Sequence, residues 1–246
     1  AHNPPAPELL DLCDRMGFLV MDEAFDMWKK KKSEYDYGLY WDEWHAKDLK
    51  DLVLRDRNHP SIIVWCIGNE VLEQYDKSDS SGAVIARELA SIVKDLDTTR
   101  PITAACNDQH PENPVIRSGA LDLIGYNYSH KKYADFPKQY PGKIFIATET
   151  TSSLATRGYY DMPSDSIRLW PVRWDLPFLN GNPDNTCSAY DNCHAPWGST
   201  HEEVWKVIKQ NDFLSGMFIW TGFDYLGEPT PYGWPSRSSY FGIVDL

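Results

Sequence analysis

Short apolar segments of strand length alternate with longer amphipathic segments of helix length along this chain. That alternation confines it to folds in which a parallel sheet is covered by helices. Pro7 to Met16 sets Leu9, Leu12, Cys13 and Met16 on one helical face, with Pro7 suited to a first turn and Gly17 to a stop. Phe18 to Asp22 follows as a buried strand. Trp41 to Arg57 predicts a helix, Ser61 to Ile67 a β-branched strand, Ser80 to Leu96 a helix carrying Val84, Leu89, Ile92, Val93 and Leu96 at helical spacing, and Pro101 to Cys106 a strand. Leu121 to Tyr128 and Lys143 to Thr148 are two more strands, with a helix near Lys131 to Gln139 between them. Ser199 and Thr200 stand three residues before Glu202 and Glu203, a capping-box pattern that opens a helix to about Asp212, and Gly216 to Thr221 is the last strand.

These are six strands, where eight close a barrel. A chain of 246 residues can bury one large core, and no linker, repeat or low-complexity tract divides it, so residues 1–246 read as a single domain. The polar stretch from Thr150 to Gly198, rich in Pro, Asn, Asp and Trp, is the long loop; loops of this length inside compact domains are usually functional.

Composition removes several classes of function. A net charge of −12 disfavours a nucleic-acid partner. The basic cluster Lys29 to Lys32 reads as a solvated loop. No apolar run approaches the ~20 residues needed for membrane insertion. The aromatic share of 13% supplies flat faces of the kind sugar-binding clefts use, although ordinary cores use them too. Five cysteines cannot all pair internally; Cys13, Cys66 and Cys106 sit in apolar patterns as reduced thiols, while Cys187 and Cys193 share a polar loop and could pair in an oxidising compartment. The chain starts at Ala1 without Met or a signal-like segment, which suggests a piece of a longer protein.

In parallel barrels, functional residues stand at the carboxyl ends of strands. Here those positions hold Asp22 and Glu23, Asn69 and Glu70, Asn107 and Asp108, Asn127 and Tyr128, Glu149, and Trp220 and Asp224. Glu70 and Glu149 follow long apolar strands, and partial desolvation there raises the pKa of whichever carboxyl lacks a positive or hydrogen-bonding partner. Two carboxyls of unequal pKa can divide the work of glycoside cleavage, one protonating the leaving oxygen and the other attacking the anomeric carbon or activating water. Spacing alone equally allows both to cap helices or to pair with Arg.

The segment Arg55-Asp56-Arg57-Asn58-His59-Pro60-Ser61-Ile62-Ile63-Val64-Trp65-Cys66-Ile67-Gly68-Asn69-Glu70 resembles the acid/base signature of glycoside hydrolase family 2. Ala1-His2-Asn3-Pro4-Pro5, Asp22-Glu23-Ala24-Phe25-Asp26 and Trp220-Thr221-Gly222-Phe223-Asp224-Tyr225 are similar to other stretches of the family's barrel. The resemblance implies an α/β fold, a (β/α)8 TIM barrel truncated at its N-terminus, with about six of eight strand-helix units present from strand three onward. Strands one and two and the family's β-sandwich domains are then expected upstream. It also implies a retaining mechanism, Glu70 as acid/base and Glu149 as nucleophile, with the carboxyls about 5 to 5.5 Å apart. Asn69 would meet the sugar 2-hydroxyl, Tyr128 would orient Glu149 and hold its pKa low, Trp220 would wall the sugar ring, and His2 would reach a sugar hydroxyl. Asp22 joins these as a substrate-binding candidate by its strand-end position, with a purely structural inner-layer role for Asp22 and Glu23 left open.

Family members that cleave glucuronides resemble one another in an Asn-x-Lys pair, which this chain lacks, and the mannosidase branch carries Gly-Asn-Asn-Glu where this chain has Gly68-Asn69-Glu70. The resemblance therefore points to exo-cleavage of β-galactosides from oligosaccharides or polysaccharides. Glucuronidase or mannosidase specificity, and a non-catalytic carbohydrate-binding or structural fragment, are the alternatives. Met27 and Lys29 stand where well-known bacterial β-galactosidases supply magnesium ligands, so no metal and no cofactor are expected. A metal-dependent barrel using Asp22, Glu23 or His is disfavoured, since the seven histidines are dispersed without metal-binding spacing. The loop at Tyr190 to Trp197 and the tail at Glu228 to Trp234 are similar to those of members from polysaccharide-degrading bacteria, in which such loops line the entrance and would choose the aglycone; a periplasmic or extracellular location is expected. An incomplete barrel would also leave strand edges through which copies could self-associate.

Overall fold

In the computed structural model, which describes residues 2–155, 159–169, 173, 175–179 and 181–244, helices and strands form close to their predicted positions. The chain divides into a first unit, Ala1–Asn127 with Phe136–Ile146, and a second, Tyr128–Asp135 with Ala147–Leu246.

The first unit runs α1 (Pro7–Met16), β1 (Val20–Glu23), α2 (Trp41–Asp56), β2 (Ile62–Asn69), α3 (Ser81–Leu96), β3 (Ile102–Cys106), α4 (Pro114–Arg117), β4 (Leu123–Asn127), α5 (Phe136–Gln139) and the start of β5 (Ile144–Thr151). β1 to β4 are neighbours in chain order and pair in parallel, with Asp22 opposite Trp65, Trp65 opposite Ile102 and Ala105 opposite Gly125; β5 comes next to β4. This is the order expected of successive strand-helix units.

Strand β2 is apolar because most of it is covered, and Ile62, Val64, Trp65, Cys66 and Ile67 are buried. Its start is tied to the turn after α3. Trp65 Nε1 donates to Asp97 Oδ2 at 3.0 Å, Asp97 pairs with Arg100 at 2.8 Å, and Arg100 Nε donates to Ile62 O at 2.6 Å. Its end is covered by Trp28, whose Nε1 donates to Ile67 O at 2.8 Å. Trp28 lies so close that a Cβ on Gly68 would fall 2.6 Å from its indole nitrogen, which is the local reason for glycine just before Asn69 and Glu70.

Three local readings change. In α1 the deeply buried residue is Leu10, whereas Leu9, Leu12 and Met16 are exposed, so the apolar stripe read from sequence is a surface face among the described residues. Val84 of α3 likewise faces solvent. The helix expected near Lys131 to Gln139 is a 3-10 turn, His130–Asp135, followed by the separate short α5. Pro137 explains the break, because a proline without an N–H fits a helix's first turn but not its interior.

In the second unit, β5 continues from Ala147 and has β8 (Leu214–Trp220) as its neighbour. Thr150 Oγ1 and Thr151 Oγ1 donate to Phe218 O and Trp220 O at 2.9 and 3.1 Å. Between them lie β6 (Arg168–Leu169), β7 (Cys193–His194) and α6 (His201–Lys209). β6 and β7 form a two-stranded parallel pair inside what reads as an irregular loop from sequence. Leu154, Cys187, Cys193, Ala195, Tyr240 and Phe241 form its buried cluster, and all five cysteines are thiols, so Cys187 and Cys193 act here as small core residues and not as a disulfide. The N-cap half of the expected capping box forms, with Thr200 Oγ1 accepting from Glu203 N at 3.2 Å, while the Glu203 carboxylate accepts from Ser199 Oγ at 2.7 Å.

Candidate active site

Glu70 terminates β2 with a left-handed backbone, φ 43°, a conformation that costs a non-glycine residue about 1–3 kcal/mol and is held only where surroundings enforce it. Its N–H donates to Ala105 O at 2.8 Å, so β3 supplies that enforcement. The amide of Asn127, at the end of β4, then donates to Glu70 Oε1 at 3.0 Å and to Asn69 Oδ1 at 2.9 Å. Asn69 Nδ2 donates to Asp26 Oδ1 at 3.0 Å.

The lysine run is largely solvated, as expected, with Lys29, Lys31 and Lys32 exposed, yet Lys32 also makes contacts within this group. Its ammonium donates to Asp26 Oδ1 at 3.0 Å and to Asn69 O at 2.9 Å. Lys30 and Lys29 are likewise engaged, with Asp79 at 2.8 Å and Asp42 at 2.7 Å. Lys29, Lys30 and Lys32 thus make ion pairs, and Lys32 is the one whose charge acts on Glu70.

His2 Nδ1 lies 3.2 Å from Glu23 Oε1 and 3.9 Å from Asp26 Oδ1, and Cys66 Sγ lies 3.4 Å from Glu23 Oε2. Burial raises the pKa of Glu70; the Asn127 hydrogen bond and the Lys32 and His2 charges oppose that rise without cancelling it. The result is a carboxyl that holds its proton closer to neutrality than an exposed Glu does, which suits a proton donor.

Asp22 is not brought to this group. It is buried with Asp56, to which the exposed Arg55 donates from Nε and Nη2 at 2.6 Å each. Burial, reinforced by the adjacent Asp56 carboxylate, pushes Asp22 up to about 7, and neither of its oxygens has a hydrogen-bond partner fixed in place. Strand alternation explains the separation, since successive side chains point to opposite faces and Glu23, not Asp22, is the one beside His2. A cavity of about 360 Å³ lined by Phe25, Asp26, Tyr37, Leu52 and Arg55 meets the Glu70 network only at Asp26. Among the described residues, Asp11, Asp14 and His59 are the grouping close enough to share an ion, and Asp14 is already engaged by His59 at 2.7 Å and by Ser61 N at 2.9 Å.

In the second unit, Tyr128 hydroxyl donates to Glu149 Oε1, and Tyr128 N donates to Glu149 O at 2.6 Å. Tyr128 also has a left-handed backbone, φ 55°, and the segment it opens is anchored by His130 to Glu203 at 2.8 Å. Trp220 ends β8, half-buried, its ring 5.6 Å from that of Tyr225 at 63° and packed on the Leu154 cluster. Burial raises the Tyr225 pKa, with Glu228 and Glu149 adding to it, so this phenol stays protonated.

The structure thus places Asn69, His2 and Glu70 in one group and Tyr128 and Glu149 in another. Asp26 and Lys32 join Glu70 without having been singled out as site residues from sequence, whereas Asn127 was marked by its strand-end position.

Residues 1–171 match the model described as "Glycosyl hydrolases family 2, TIM barrel domain". The chain is 54% identical to "Beta-galactosidase BoGH2A" of Bacteroides ovatus across all of its own length and 32% of that protein's. It is 28% identical to the "Beta-glucuronidase" of Homo sapiens, over 94% of this chain and 33% of that one. Among solved structures it resembles a β-glycosidase from Bacteroides vulgatus, with 34% identity and a TM-score of 0.79 over 99% of this chain and 31% of that one. The chain spans about a third of the length of these relatives. With the family model covering well over half of the residues, and with β1 to β4 paired in parallel in chain order, this chain belongs to the TIM barrel domain of glycoside hydrolase family 2.

Proposed function

We propose that this chain forms most of the catalytic barrel of a retaining, exo-acting β-galactosidase, with Glu70 as acid/base and Glu149 as nucleophile. The observation that carries the reading is the contrast between the two carboxyls: burial keeps Glu70 protonated toward neutrality, while Glu149 accepts a phenolic hydrogen bond that favours a carboxylate. In the first step Glu149 attacks the anomeric carbon as the glycosidic bond breaks, and Glu70 gives its proton to the leaving oxygen. In the second, Glu70 takes a proton from water, the water oxygen bonds to the anomeric carbon, and the Glu149 ester is released as carboxylate. Asn69, held by Asn127 and Asp26, would meet the sugar 2-hydroxyl.

Galactose is favoured by the 54% identity to a protein named as a β-galactosidase and by the lack of an Asn-x-Lys pair in the sequence. The test is turnover of nitrophenyl β-galactoside and β-glucuronide by the intact protein that contains this chain, with Glu149→Gln and Glu70→Gln beside it. Glu149→Gln should lose at least about a thousandfold in kcat. Glu70→Gln should retain activity on substrates with good leaving groups and recover further with azide. Unchanged turnover in Glu149→Gln would sink the assignment, and preference for the glucuronide would overturn the sugar.

A further inference from the structure

The end of β5 is clamped by a distant part of the chain. Ala195 N donates to Ser152 O at 3.0 Å, and Ser199 N donates to Thr151 O at 2.7 Å. The approach is so close that a Cβ on Gly198 would fall 1.8 Å from Thr151 O, so only glycine lets the segment lie there undistorted. This clamp sets the indole Nε1 of Trp197 3.3 Å from Ser152 Oγ. Ser152 Oγ in turn lies 2.7 Å from the hydroxyl of Tyr128, which bonds Glu149.

The chemistry of the two ends sets the direction of every proton in this row. An indole N–H can only donate, so Ser152 accepts from Trp197. An ionised carboxylate can only accept, so Tyr128 donates to Glu149. The single phenolic proton is then committed, and Ser152 must give its own proton to Tyr128.

We propose that Trp197 and Ser152 are positioning residues: the one-way row of donors from Trp197 through Ser152 to Tyr128 keeps the phenol committed to Glu149 and holds that carboxylate in its attacking orientation. The inference rests on the reading of Glu149 as nucleophile. Aligned hydrogen bonds polarise one another, so the row strengthens its last member, the Tyr128–Glu149 contact. Ser152 is buried, with φ 54°, and therefore cannot trade this partner freely for water, whereas Trp197 belongs to the long loop and is partly exposed. The loop thus reaches the reacting carboxylate through two side chains 45 residues apart.

The experiment uses the intact enzyme and 2-deoxy-2-fluoro-β-galactosyl fluoride, which leaves a long-lived ester on Glu149 and yields a maximal trapping rate and a half-saturating concentration separately. Ser152→Ala and Ser152→Gly should each slow maximal trapping about tenfold, and Trp197→Phe, which keeps an aromatic ring but removes the donor, about threefold; half-saturation should stay within about twofold throughout. Because Trp197 acts through Ser152, the double variant Ser152→Ala with Trp197→Phe should be no slower than Ser152→Ala alone. Multiplicative losses in the double variant, or changes confined to half-saturation, would overturn the proposal. Thermal melts identify a variant that has not folded, and the glycine and alanine variants, differing in backbone freedom but both lacking the hydroxyl, must then agree. Trapping that persists in Glu149→Gln would instead overturn the proposed function itself.

Discussion

The side-chain amide of Asn127 donates at 3.0 Å to Oε1 of Glu70, across 57 residues of sequence. The same nitrogen holds Asn69 at 2.9 Å, so one group fixes both the candidate acid and its neighbour. A hydrogen bond to a carboxylate favours the charged form and opposes the rise in pKa that burial causes.

Removing that donor should therefore raise the Glu70 pKa further. In Asn127→Leu, the alkaline limb of kcat/KM should move up by roughly one unit, with a lower kcat at neutral pH. A pH–rate profile on nitrophenyl β-galactoside checks this, and a limb unmoved or shifted to lower pH would contradict it.

Lys32 acts on the same carboxyl through its charge and on Asn69 through a backbone contact. Lys32→Met should shift the alkaline limb in the same direction, by about half a unit, and raise KM because Asn69 loses a support. Replacing Lys29, whose side chain reaches Asp42 at the surface, should leave both quantities unchanged.

Asp22 is expected to show its influence in stability. Its folded pKa of about 7 lies above the ordinary value of 3.8, so the folded chain retains a proton that the unfolded chain releases. The stability this group contributes is fully present below pH 3.8 and is lost as pH rises to about 7. Asp22→Asn removes the titration. Urea unfolding should show the variant gaining on the parent between about pH 4 and pH 7, by an amount on the order of 1 kcal/mol per pH unit, and no further above that. Parallel stability curves would refute it.

Gly198→Ala should destabilise the second unit, because the added Cβ would meet a backbone carbonyl at 1.8 Å and the backbone must move. A loss of about 2–4 kcal/mol in denaturant unfolding is the expected scale. Gly68→Ala should be milder, since the atom it meets at 2.6 Å belongs to the Trp28 side chain, although the Trp28–Ile67 bond would be strained.

What the amino-acid order determined by itself was periodic and local. Apolar runs such as Ile62 to Ile67, the Pro7 start of α1 and the Thr200 cap of α6 predict elements and their sequence because each depends on residues a few positions apart. The strand-end rule likewise marked Glu70, Glu149, Asn127 and Tyr128. Tertiary structure decided which of these share a network. Asp22 and Glu23 are adjacent in the chain yet belong to different groups, because a strand turns successive side chains to opposite faces. Lys32 is indistinguishable from its three lysine neighbours by composition, and only the folded path of that loop brings its ammonium to Asn69. Trp197 and Ser152 carry no mutual signal, since the contact between them depends on a backbone approach that Gly198 permits and that no local pattern encodes.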